Sequence, residues 1–287
     1  MKDPDDIIEP ELIVEGTSMI RSPKPIPEWT QVDLKDLQIA KNMLENPGLA
    51  PRLTEMIGGP IEKGFTLLPD NWRDTLQTAS RKSLMGALEI AANTMVEERQ
   101  GQTSDLAHKI AVGATGGIGG MFGLPAMTWE LPLSTTIMLR SMLDIARCEG
   151  HSPRELETRI SCLEVFALGG SKAEDDAVDS AYWTVRSSLA AAVSDAVAFI
   201  AKNGFTTEGA PALAKLIAAI GARFGVVVSE QVAAKAVPVI GAAAGSAINV
   251  LFMQHFQDMA RGHFIVRRLE KKYSIEAVEE AYLRHTF

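Results

Sequence analysis

One carboxylate stands out before any element is assigned. Glu130 is the only charged residue between Ile110 and Leu139. A carboxylate in apolar surroundings is costly unless it is paired, protonated or hydrogen-bonded. On a helix, Glu130, Ser134, Ser141 and Asp144 fall near one face and make a polar stripe on an apolar rod. Two roles are open to Glu130: a buried ion pair or first-turn helix residue, or a functional acid. A second polar set lies late in the chain, where Asn249 precedes His255, Asp258 and His263. His255 and Asp258 share a face by i,i+3 spacing. Brought together with Glu130, the set offers carboxylate and imidazole ligands for a divalent metal inside a helical bundle. That is the basis for reading the chain as a metal-dependent enzyme. Neither HExxH nor paired ExxH motifs occur, however, and buried hydrogen-bonded polar residues account for the same pattern.

Other chemistries lack their signatures. Gly113, Gly116, Gly117, Gly119, Gly120 and Gly123 crowd one short run, yet no Val/Ile strand precedes it and no GKS or GKT follows. A phosphate loop would therefore lack its lysine, and close approach of helices explains the glycines better. No G-x-S-x-G elbow is present. Cys148 and Cys162 belong to no CxxC pattern, which points to free thiols rather than a zinc site or disulfide.

The 287 residues carry a net charge of −8, with 46% apolar but only 6% aromatic residues. Six acids (Asp3, Asp5, Asp6, Glu9, Glu11, Glu15) against Lys2 place much of that charge in the first fifteen residues. No basic footprint for nucleic acid is present. No basic n-region leads an apolar stretch, so the expected location is cytoplasmic.

These side chains must be positioned by helices. The acidic, proline-rich residues 1–27 read as a disordered tail, and 28–287 as a single helical domain. Helical signals predict segments over 28–46, a Gly-interrupted piece over 51–68, then 69–98, 128–149, 153–168, 173–202, 211–223, 225–237, 236–273 and 274–285. Ser152 with Glu155 spells a capping box for the fifth of these. The fold class is all-α: a multi-helix bundle around two Gly/Ala-rich apolar helical segments. Those segments, 111–149 and 236–273, share a plan: glycines and a proline, then an apolar helix that turns charged.

Three stretches resemble the EcsC family. The first is Gly123-Leu124-Pro125, with Trp129-Glu130-Leu131-Pro132 and Arg140. The second is Leu163-Glu164-Val165-Phe166-Ala167-Leu168-Gly169-Gly170. The third, and the most specific, runs from Val237-Pro238 through Gly241 and Gly245 to Asn249. It continues with Asp258-Met259-Ala260-Arg261-Gly262-His263-Phe264 and Arg267-Arg268-Leu269-Glu270. The family's pattern has Asp where this chain has Glu130. The resemblance implies a helical cytoplasmic or membrane-associated protein, accessory to transport or secretion, without an established activity.

The charge-free spans 110–129 and 236–254 approach the length of a bilayer crossing. Their glycines, and Glu130 and Pro132 beside the first, favour two helical hairpins packed inside a soluble bundle. Arg261, Arg267, Arg268, Lys271 and Lys272 against Glu270 form a basic helix end that could rest on anionic lipid, or simply complement the helix dipole. The expectation is a protein at the cytoplasmic membrane face, binding lipid or a transporter or secretion component. Its ligand residues would be drawn from Glu130, Ser134, Asn249, His255, Asp258 and His263.

Overall fold

The computed structural model describes residues 28–45, 48–59, 61–93, 124–169, 180–204, 210–236 and 238–284. Among the described residues there are ten α-helices and no strand: α1 (Gln31–Leu44), α2 (Leu49–Ile57), α3 (Glu62–Phe65), α4 (Trp72–Asn93), α5 (Leu124–Cys148), α6 (Leu156–Leu168), α7 (Ala181–Asn203), α8 (Pro211–Ala236), α9 (Pro238–Tyr273) and α10 (Ile275–Arg284). The expected tail and the run Gly113–Gly123 lie outside the described residues.

The all-α reading holds, with shifted boundaries. Leu124-Pro125 opens a helix rather than ending a segment, because Pro125 falls in the first turn, where its missing N–H has no intrahelical acceptor. Pro132 sits inside the same helix without ending it. The Ser152 capping box does not form. Ser152 Oγ instead accepts from the Arg154 amide at 3.3 Å within a turn, and α6 begins three residues beyond Pro153, at Leu156. The two helices expected over 211–237 are one, since burial on several sides overrides the β-branched run Val226-Val227-Val228.

α8 and α9 are the axis of the bundle. α8 packs on α2, α3, α4, α6, α7 and α9, while α9 packs on α1, α2, α5, α6, α8 and α10. The two apolar segments meet as expected, α5 against α9. α6 is buried on every side from Ile160 to Leu168, as a core helix should be. At the centre, Phe166, Phe224, Phe252 and Phe256 form a closed set, with Phe224 5.0 Å from Phe166 and 5.7 Å from Phe256 between ring centroids. Phe252 adds edge contacts to Phe256 at 5.1 Å.

The N-terminal helix is clamped to the end of α9. Trp29 stacks on Tyr273 at 4.0 Å, and Asp33 accepts from the Tyr273 hydroxyl and the Lys272 ammonium, each at 2.6 Å. Lys272, then Thr30 and Tyr273, hold the Asp33 carboxyl down at about 2. Gly262 permits the close approach: a Cβ there would stand 2.6 Å from Leu44 Cγ and 3.0 Å from the Ala40 carbonyl oxygen. At the other end, a Cβ on Gly64 would lie 1.9 Å from the Ala233 carbonyl oxygen, so only glycine lets α3 sit on α8.

Candidate functional site

Of the candidate ligand residues, Glu130 and Asn249 are brought together, and Lys235 and Gln231, which were not among the candidates, complete the cluster. Glu130 projects from α5 into the seam with α8 and α9 and is 2% exposed. Its Oε1 accepts from Lys235 Nζ at 2.6 Å and from Asn249 Nδ2 at 2.8 Å. Gln231 Nε2 donates to Asn249 Oδ1 at 2.7 Å, locking the amide's orientation. Among the described residues Glu130 Oε2 has no hydrogen-bond partner. Burial lowers the Lys235 ammonium from its usual range, and the Glu130 charge opposes that shift. The geometry is a buried ion pair with one spare carboxylate oxygen. Lys235 was legible in principle: it is a lone cation in an Ala/Val stretch. Ser134 only turns back on its own helix, its hydroxyl donating to the Leu131 carbonyl at 3.1 Å.

The expected metal set is not assembled. Among the described residues no three His, Cys, Asp or Glu side chains are placed to hold one metal ion. His255 Nε2–H donates to the Gly169 carbonyl at 3.0 Å, where a Cβ on Gly169 would collide with the ring. Tyr182 hydroxyl and His263 Nδ1 lie 3.1 Å apart. Asp258 faces Arg52 and Arg261, each at 3.7 Å. One long helix cannot aim His255 and His263 at one point, because eight residues rotate the second well round the axis. Burial removes water from both imidazoles, holding His255 down at about 4 and His263 well below its ordinary value.

This has a measurable consequence. In the unfolded chain His255 titrates near 6.5, and in the fold near 4. A depressed folded value means that stability is complete above 6.5 and is lost as pH falls toward 4. His255→Gln is expected to flatten the dependence of the urea midpoint on pH across that window. An unchanged slope would assign the acid sensitivity elsewhere.

The basic set on α9 is not a free cationic face. Arg261 pairs with Asp258, Arg268 with Asp36 at 2.8 Å and with Glu149 at 3.1 Å, Lys272 with Asp33 at 2.6 Å, and Lys271 approaches Glu155 at 3.8 Å. Arg267 forks between Glu157 and Glu270. The charge of this set serves to bind α9 to α1, to α6 and to the turns after α5 and before α6. Spacing along α9 reveals only the i,i+3 partners Asp258 and Glu270; the other acids come from distant parts of the chain.

A second polar centre lies where α6, α7, α9 and α10 border a groove of about 620 Å³. Ile160, Val193, Val197 and Ile275 give it apolar walls. At its base, Arg186 clamps Glu270 through two bonds of 2.5 and 3.2 Å and lies over the Trp183 ring at 4.7 Å. Glu164 also lines it, 9% exposed, its carboxyl raised by burial against the pull of Arg267 and Arg186. Glu164 carries the same sequence signal as Glu130, a lone acid in an apolar run.

Among the described residues, α7 and α8 are the helices long and apolar enough to cross a membrane. Apart from Ala236, the span 236–254 does not belong to either of them, and most of the span 110–129 lies outside the described residues. α8 is explained by its six neighbours. α7 has only 28% of its most apolar window buried, through one stripe of Val185, Leu189, Ala192, Ala196 and Ile200.

The three stretches around Glu130, Glu164 and Asn249 all sit at these two polar centres, and the sequence model of the EcsC protein family matches residues 31–269. The chain belongs to the EcsC protein family. The match spans α1 to nearly the end of α9, so it covers the Glu130 cluster and the α6, α7 and α9 sides of the groove of this EcsC protein, and stops short of Ile275 and Glu279 on α10. No curated protein and no solved structure matches the chain.

Proposed function

We propose that this EcsC protein works at the cytoplasmic face of a membrane, binding lipid or a membrane partner through the groove between α6, α7 and α10. The observation that supports this is α7: a helix of membrane-spanning length and apolarity that leaves most of its apolar window unburied beside an apolar-walled groove. Val193 and Val197 project from α7 into that groove half-buried, where an acyl chain would complete their burial. The mode of attachment follows from the ion pairs on α9. With Arg261, Arg267, Arg268, Lys271 and Lys272 each facing an acid, attachment rests on apolar burial rather than on anionic headgroups.

Flotation with vesicles tests both parts. The protein is expected to float with neutral phosphatidylcholine vesicles as well as with vesicles containing phosphatidylglycerol, and to stay bound in high salt, where surface attraction is screened. Val193→Glu with Val197→Glu is expected to abolish flotation. Protein that stays at the bottom with every vesicle overturns the proposal. Flotation confined to anionic vesicles and lost in salt overturns the apolar mode.

A further inference from the structure

The groove's charge is unbalanced. Glu157 and Glu164 from α6 and Glu279 from α10 line it, against Arg186 from α7 and Arg267 from α9, and both of those cations also face Glu270 behind the lining. Both cations are committed, Arg186 to Glu270, and Arg267 to Glu157 and Glu270. Glu164 accepts the Ser161 hydroxyl, and among the described residues no cation reaches ion-pair distance of it. Trp183 lines the same groove, is 7% exposed, and its indole N–H has no acceptor among the described residues. A buried carboxylate that feels Arg267 and Arg186 only at a distance, and a buried N–H without an acceptor, each cost free energy that a ligand of the right polarity returns.

We propose that this groove binds a primary ammonium carried by an amphiphile, with the ammonium on Glu164, a neighbouring oxygen accepting from the Trp183 N–H, and the tail along Ile160, Val193, Val197 and Ile275. The sign of the ligand follows from the acid excess. A primary ammonium is specified over a quaternary one by two features. It supplies N–H donors for the carboxylate, and the Trp183 face that would hold a quaternary ammonium is already covered by Arg186. The shared chemistry could come from the ethanolamine head of a phospholipid or from a free long-chain amine. The inference rests on the preceding section only for the ligand's apolar tail, and it is tested in solution without vesicles.

The experiment is calorimetric titration of the full chain with four monomeric probes: lysophosphatidylethanolamine, lysophosphatidylcholine, dodecylamine and dodecanol. The ethanolamine lipid is expected to bind about tenfold more tightly than its choline counterpart, the value of one charge-assisted hydrogen bond in a buried site. Glu164→Gln is expected to erase that preference and to leave choline-lipid binding unchanged. In the wild type the preference is expected to fade on acidification, as the raised Glu164 carboxyl takes up its proton, whereas neither lipid head changes charge there. The pH series keeps the test decisive should Glu164→Gln fail to fold. A preference for dodecylamine over dodecanol as well would assign the site to amines at large, and its absence would assign it to the phospholipid head. Equal binding of both lipids together with equal binding of dodecylamine and dodecanol overturns the proposal, as does a preference that survives in Glu164→Gln. Failed flotation beside an intact ammonium preference would refute the membrane role and leave this site standing.

Discussion

Lys235→Met is expected to destabilise the protein by about 3–5 kcal/mol, read as a lowered urea midpoint with unchanged slope. The methionine keeps the length and apolar stem of the lysine, so packing alone predicts little loss. The cost comes from Glu130. Its Oε1 would keep only the Asn249 bond, Oε2 already lacks a partner among the described residues, and the carboxylate would stay 2% exposed in the α5–α8–α9 seam. The charge must then be neutralised by a proton or drag water inside. A second change tests that account. Glu130→Gln placed on Lys235→Met removes the orphaned charge and is expected to recover most of the loss. A loss under about 1 kcal/mol for Lys235→Met would mean that the pair is not a buried ion pair in solution.

Phe224→Ala is expected to cost a similar amount, about 3–5 kcal/mol, through a different mechanism. Its ring is fully buried and touches Phe166 on α6 and Phe252 and Phe256 on α9. Three helices therefore lose a common contact, and rings packed at 5.0–6.3 Å around it cannot collapse into the gap without leaving their own neighbours. Phe224→Leu, which refills much of the volume, is expected to cost less than half as much. Equal losses for the two variants would show that ring geometry, rather than volume, governs the site. The urea midpoint measures both. Neither variant touches the groove, so ammonium binding by the folded fraction is expected to persist.

Much of this protein is written locally. Helical periodicity, the near absence of strand signals and stops such as Gly204 are short-range properties, and they predicted an all-α chain with most elements in place. A lone acid inside an apolar run is also a local fact, and a buried ion pair was one of the two roles it left open for Glu130. Partners are another matter. Which cation meets Glu130, and which acids neutralise Arg267, Arg268 and Lys272, depends on how helices more than a hundred residues apart lie against one another. The proposed metal set failed for that reason: His255, Asp258 and His263 are neighbours along one helix but point to different surroundings, a carbonyl, two arginines and a tyrosine. The groove with Glu164 and Trp183 exists only because α6, α7, α9 and α10 diverge there. Residue type and spacing decide what a side chain can do. Whether it is paired, orphaned or open to a ligand is set by long-range packing, since burial and electrostatics act through space rather than along the chain.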